Sequence, residues 1–230
     1  MRHDKLISVV IPALNEENAI GHVIQDLPDW VDQIVVADNG SRDMTADTAR
    51  QLGAEVVFEL EPGYGAACLR GLSAIREADI IVFLDGDYSD FPEDVHRLVD
   101  PIAAGTHDFV LGSRAQGQVQ SGALTPAQIF GNWLACFLMR RLWQTPYTDL
   151  GPFRAIEAGL LERLEMTDRT YGWTIEMQIK AFVQGARILE VPVRYRQRVG
   201  VSKISGTVKG TVMAGYKILA TLFKYRHLRR

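Results

Sequence analysis

The sequence has little cysteine, and none of it is spaced to hold a metal: Cys68 and Cys136 stand far apart among apolar neighbours in a chain of 230 residues. They read as reduced core residues rather than a disulfide, which suits a cytosolic chain. No apolar run approaches the roughly 18 residues of a membrane-spanning helix. The opening MRHDKLISVV lacks the apolar stretch and small-residue cleavage site of a secretory signal, so a cytoplasmic location is expected. There is no internal repeat, no low-complexity tract and no Gly/Ser/Pro linker to cut the chain in two. At 47% apolar and 23% charged, the composition excludes disordered, fibrous and collagen-like chains. Acid is missing from one end: the first 190 residues hold all 28 acidic side chains against 15 basic ones, and the last forty hold ten basic and none acidic. An acidic body with a basic tail predicts an anionic partner for the tail. The acidic body and the lack of a recognised motif argue against nucleic acid as that partner.

What is present alternates. LISVVIP (6–12), QIVVAD (33–38), AEVVFE (54–59), DIIVFLD (79–85) and DFVLGS (108–113) are β-branched runs too short for buried helices, and predict buried parallel strands. Helical spacing fills the gaps at 17–27, 44–52, 66–76 and 92–104. The expected fold is α/β, a mostly parallel open sheet with helices on both faces. Thr125-Pro126 opens a long apolar helix to Trp143, a second helix spans Trp173 to Val183, and 186–198 reads as a strand with Pro192 at an edge or bulge. After Gly206 an amphipathic helix follows whose polar side is wholly cationic.

Ligands of such sheets bind beyond the carboxyl ends of the strands. Four successive strand ends carry polar or glycine-rich loops: Pro12–Glu16, Asp38–Asp43, Glu61–Ala66 and Asp85-Gly86-Asp87. Two carboxylates one residue apart at a strand end can turn toward one point, and suit Mg²⁺ or Mn²⁺ carried by a diphosphate. A surface turn is the alternative for an isolated Asp-x-Asp. Asp90 either joins that acidic group or, as favoured here, caps the helix beginning near Pro92. Gly63-x-Gly65 lacks the lysine of a P-loop and the third glycine of a dinucleotide fingerprint, leaving a tight turn or direct phosphate contact by Gly63.

PALNEEN, VVADNGSRDMT, GYGAA, FLDGD, VLGSR, DLGPFR, GWTIEM and RVGVSKISGT occur in that order across nearly the whole chain. Together they resemble the family 2 glycosyltransferases of GT-A fold, above all the branch of dolichol-phosphate mannosyltransferase and other polyprenyl-phosphate glycosyltransferases. The resemblance implies a nucleotide-sugar-binding domain over 1–205, with a nucleotide half to about 115 and an acceptor half from about 116, followed by the tail helix at 206–230. It gives Pro12, Leu14, Glu16, Asp38 and Asn39 to the base and ribose. Asp85 and Asp87 fall to the metal-bound diphosphate, and Arg114 to the acceptor phosphate. Arg198, Ser202 and Lys203 fall to a phosphate-contacting segment, and Asp149 and Glu176 to the acceptor side. Asn39 departs from the Asp of many relatives, Glu61-Pro62 replaces a basic residue or Asn, and Gln128 and Asn132 stand where a second arginine is usual.

The nucleophile decides what else the chemistry needs. A hydroxyl acceptor requires a base, Asp149 or Glu176. A polyprenyl phosphate requires only cations, Arg114, Arg198 and Lys203. Duller roles stand beside these: a turn for Asp149, a solvated helix position for Glu176, a solvated strand position for Arg196, packing for Trp173 and plain surface for all five histidines. The tail, and the helix carrying Phe130, Trp133 and Phe137, either lie on an anionic membrane or pack on the body or a second subunit. The expectation is an inverting, metal-dependent enzyme moving a hexose from a UDP- or GDP-sugar to a polyprenyl phosphate at the inner membrane face. A soluble hydroxyl acceptor and a non-catalytic nucleotide-sugar-binding module are the alternatives, and a homo-oligomer stays open.

Overall fold

The computed structural model describes residues 1–200 and 208–228. Its strands are β1 (Ile7–Ala13), β2 (Gln33–Asp38), β3 (Glu55–Phe58), β4 (Ile80–Phe83), β5 (Phe109–Val119), β6 (Arg154–Glu157) and β7 (Ile188–Tyr195). Its helices are α1 (Ile20–Gln25), α2 (Thr45–Gln51), α3 (Tyr64–Leu72), α4 (Val95–Ala103), α5 (Pro126–Trp143), α6 (Ala158–Leu164), α7 (Trp173–Val183) and α8 (Val208–Tyr225). The strands form one sheet in the order β3-β2-β1-β4-β6-β5-β7.

The five apolar runs of the first half all become strands, and β1 to β4 pair in parallel as their continuous hydrophobicity requires. One strand escaped the sequence reading. β6 lies antiparallel between β4 and β5, so these two are not neighbours and the sheet is mixed. Its four residues, Arg-Ala-Ile-Glu, begin and end in charge and are too short to show a period. β7 pairs in parallel with β5 at the sheet edge, and the register shifts beside Pro192, where a missing N–H costs least. That shift carries β5 on to Val119, six residues past the expected end.

Alternate side chains feed two cores. Val9 and Ile11 face α1 and α4; Val10 faces the layer of α3, α5, α6 and α7. Cys68 and Cys136 are free and buried in the second core. α5 begins as expected, with Pro126 in its first turn and a capping box in which the Thr125 hydroxyl accepts from Gln128 N. α8 packs Leu222 and Tyr225 into the second core while leaving Tyr216 and Phe223 exposed. No helix among the described residues is long and apolar enough to cross a membrane.

Candidate active site

The polar strand ends converge. A cavity of about 330 Å³ is lined by Pro12, Leu14, Glu16 and Asn39 from the first two loops, by Gly63 and Tyr64, by Asp85 to Asp87, and by Arg198. Asp38 is not in its wall. Its buried carboxylate accepts from the Gly40 and Ser41 N–H groups (3.0 and 2.7 Å) and so shapes the turn that carries Asn39. The Asn39 amide donates to the Glu59 and Glu61 carbonyls (3.1 and 2.8 Å) and accepts from Gly63 N at 2.8 Å. It therefore fastens the second strand loop to the glycine loop.

Asp85 and Asp87 stand together at the floor. Tyr64 Oη donates to Asp85 Oδ1 at 3.1 Å. Ser89 holds Asp87 Oδ1 through its N–H (2.9 Å) and hydroxyl (2.6 Å). Burial, then the charge of Asp87, raises the Asp85 carboxyl to about 7. A close pair of carboxylates is a place where a divalent cation relieves repulsion, and hard oxygens suit Mg²⁺ or Mn²⁺. Among the described residues no three acidic, His or Cys groups cluster as ligands. The pair fits an ion whose remaining ligands come from a diphosphate and water.

Asp90 corrects the expectation that it caps a helix. Phe91 is the cap position there, without a side-chain bond, and both Asp90 carboxyl oxygens are buried with no partner among the described residues. Burial and the charges of Asp85 and Asp87 push its pKa well above the carboxylate range. It joins the acidic group, where burial favours its protonated form. Arg196 is also not the solvated residue expected: its guanidinium lies 3.4 Å from the Tyr88 ring centre and 4.0 Å from that of Phe91, and donates to the Tyr88 and Asp90 carbonyls. Tyr88 has φ +62°, rare for a bulky side chain, and that stacking with a hydrogen bond to Asp26 holds it there.

The chain after β7 runs beside this turn, with Arg196 N bonded to Ser89 O and Val199 N to Asp87 O. Arg198 is thereby placed between Glu16 (2.9 Å) and Asp87 Oδ2 (3.1 Å), on the wall of the cavity with the paired aspartates. Its Nε is buried without a partner among the described residues. Ser202 and Lys203 lie outside the described residues.

A second cavity, of about 740 Å³, opens between α5 and α8. Its walls are largely apolar, with Leu124, Phe130, Leu134, Ile218 and Leu219, and its charged lining groups among the described residues are Arg114 and Asp149. Asp149 is engaged by Arg114. It is 1% exposed, takes Arg114 Nε (2.9 Å), Nη2 (2.7 Å) and N–H, and although burial pushes its pKa up, Arg114 more than offsets this and keeps it ionised. The guanidinium is thus fixed, 5.1 Å from the Tyr195 ring centre. Glu190 steadies the pair through Thr148 and Asp149 N–H bonds.

Glu176 is likewise committed. It is fully buried and bonded to Thr167, Asp168 N, Lys180 and Tyr225 Oη, and these donors outweigh its desolvation and keep the carboxylate charged. Trp173 packs edge-on against Phe83 rather than lining a cavity. Glu61 is not left unpaired, because Arg169 Nε lies 2.6 Å from it. The sequence reading missed Tyr64, Ser89, Glu190, Thr170 and Tyr171. Only Tyr64 lay in a loop already singled out.

With this geometry, the chain is similar to a dolichyl-phosphate hexose transferase of Haloferax volcanii, 33% identical over 90% of each chain. It is 29% identical to a UDP-N-acetylglucosamine–dolichyl-phosphate N-acetylglucosaminyltransferase of Methanococcus voltae, covering 95% of each. Among solved structures, glucosyl-3-phosphoglycerate synthase of Mycobacterium tuberculosis with Mn²⁺, UDP-glucose and phosphoglyceric acid superposes with a TM-score of 0.78 at 27% identity, over 98% of this chain and 81% of that one. The description of glycosyl transferase family 2 matches residues 8–163, from β1 into α6 and through the paired aspartates. The fold is GT-A, and the chain belongs to glycosyl transferase family 2.

Proposed function

We propose that this enzyme moves a hexose, with inversion, from a UDP- or GDP-linked donor to the phosphate of a polyprenyl or dolichyl carrier at the cytoplasmic membrane face. The observation that carries the reading is the pairing of two unlike cavities: a polar one holding Asp85, Asp87 and Arg198, and a larger apolar one with an aligned Arg114. Nucleoside diphosphate chemistry suits the first. The second suits a lipid tail with an anionic head.

A phosphate oxygen of the carrier attacks the anomeric carbon as the bond to the diphosphate breaks, and the electron pair leaves with the nucleoside diphosphate. No proton has to be removed, which agrees with Asp149 and Glu176 both being tied up. Asp85 and Asp87 would hold Mg²⁺ or Mn²⁺, which when bound neutralises charge building on the departing group. Arg198, on the same wall, offers guanidinium N–H donors to the same oxygens. Arg114, fixed by Asp149, orients the acceptor phosphate.

Location follows from surface chemistry. Phe130, Trp133 and Phe137 stack along α5 and are about half exposed, α8 exposes Tyr216, Leu219 and Phe223, and neither helix contains an acid. Such a face suits peripheral contact with an anionic leaflet, each nearby cation adding about 1 kcal/mol. Residues 1–205 act as the catalytic unit in this reading, with the tail as its membrane contact. A small phosphorylated acid is the second reading for the acceptor, since the similar synthase holds one.

The test is transfer by the purified chain from UDP- and GDP-hexoses with Mn²⁺, offered polyprenyl phosphate in detergent or 3-phosphoglycerate, with products identified by mass. Lipid-phosphate hexose is expected, and its loss by about 100-fold or more in Asp87→Ala. Transfer to phosphoglycerate alone, or undiminished turnover by Asp87→Ala, would overturn the assignment.

A further inference from the structure

The segment joining α6 to α7 closes one side of the polar cavity, where Thr170 and Tyr171 form part of the lining. Three contacts hold it against the glycine loop. Gly65 N donates to the Thr170 carbonyl (3.3 Å), Ala66 N to the Arg169 carbonyl (2.8 Å), and Arg169 reaches Glu61. The segment takes its shape from Asp168, whose Oδ1 accepts from Thr170 N (2.8 Å), Thr170 Oγ1 (3.0 Å) and Gly172 N (3.2 Å).

Asp168 has a second oxygen, and it faces α8. Lys217 Nζ lies 3.0 Å from Asp168 Oδ2, and the carboxylate is 4% exposed against 37% for the lysine. One turn of α8 further on, Thr221 comes so close to Gly172 that a Cβ on the glycine would overlap both the Thr221 hydroxyl and Asp168 Oδ2. Two turns on, Tyr225 Oη donates to Glu176 (2.6 Å), which holds the Asp168 N–H at 2.6 Å. The other side of α8 lines the apolar cavity with Gly215, Ile218 and Leu219. A single helix therefore lines the apolar cavity and braces the segment that walls the polar one.

We propose that Asp168 and Lys217 are positioning residues for the nucleotide: the ion pair sets Thr170 and Tyr171 at the donor pocket, so donor affinity depends on how α8 is seated. The proposal rests on reading the polar cavity as the donor site. It makes the helix that faces the acceptor a strut for the donor wall. Coupling of this kind is reciprocal, so a ligand that steadies α8 from the apolar cavity tightens nucleotide binding, and nucleotide steadies α8.

Calorimetric titration with UDP and with GDP, each with Mn²⁺, tests it in the full chain, alongside melting temperature. Lys217→Met and Asp168→Asn should each raise Kd about 3- to 10-fold, the range for coupled, partly exposed charges. Lys217→Arg should stay near wild type, and the double variant should be no weaker than Asp168→Asn alone. Lys217→Gln replaces Lys217→Met if the latter folds poorly. Unchanged Kd with a lowered melting temperature would make the pair purely structural and overturn the proposal, as would additive losses in the double variant. A wild-type chain that binds neither nucleotide would instead remove the donor-site reading underneath it.

Discussion

Asp90 sits 1% exposed beside two other aspartates, with neither carboxyl oxygen hydrogen-bonded among the described residues. Burial and the charges of Asp85 and Asp87 oppose its ionisation and outweigh the charge of Arg114, so the folded chain keeps the proton at a pH where the unfolded chain, with an aspartate pKa near ~3.9, has lost it. Its pKa is raised by folding, and the native state binds more protons over that interval. This group's contribution to stability is therefore full below about pH 4 and declines as pH rises toward the folded pKa. Asp90→Asn removes the decline. The melting temperature of the variant, relative to wild type, should climb as pH rises above about 4; a constant difference with pH would show Asp90 ionised in the fold. The paired carboxylates behave differently from Asp90, because each has donors: Ser89 and Arg198 for Asp87, Tyr64 for Asp85. That difference separates the pair from Asp90. It follows from which side chain a turn presents, and the order Asp-Gly-Asp-Tyr-Ser-Asp alone does not tell which aspartate is which.

Among the elements, the contact between α3 and the segment before α7 walls one side of the cavity with the paired aspartates. At Gly65 a Cβ would overlap the Asp168 carbonyl oxygen, and that backbone is pinned by Asp168's own bonds and cannot yield cheaply. Gly65→Ala should cost about 1–3 kcal/mol by overpacking and weaken nucleotide binding with it. Gly131→Ala, inside α5 with nothing within 4 Å of the added carbon, is the matched control, with an unchanged or slightly raised melting temperature expected. Equal effects from the two would deny the close approach its importance. The elements themselves were largely legible. Continuous β-branched runs gave β1 to β4, and Thr125-Pro126 gave the start of α5, because each depends on neighbours a few residues away. β6 was not legible, since a four-residue strand flanked by charge becomes a strand only when β4 and β5 leave a slot for it.

At the scale of the whole molecule, charge and apolar exposure coincide. The acid-free stretch of sequence ends in α8, and α8 stands beside the exposed aromatic stack of α5 across the mouth of the apolar cavity. Binding to vesicles containing anionic lipid should fall as salt rises from about 0.05 to 0.5 M, because the Debye length then shrinks well below ~10 Å. Replacing Phe130, Trp133 and Phe137 with Ser should weaken the binding that remains at high salt. Co-sedimentation that ignores both salt and these substitutions would leave the face without a membrane role.

From its order of residues alone, this protein was destined to be an α/β sheet with polar loops at four strand ends and an acidic pair at the fourth, since each of those features is written in a short stretch of chain. Partnerships were another matter. Arg114 finds Asp149 35 residues on, Glu176 finds Tyr225 after 49, and Arg198 reaches back 182 residues to Glu16. Asp149 and Glu176, read as candidate bases, are bonded to Arg114 and to Lys180 and Tyr225, and Asp90, read as a helix cap, is buried beside the paired aspartates. Such outcomes depend on which surfaces meet and how much water they expel, and only the packed structure fixes both.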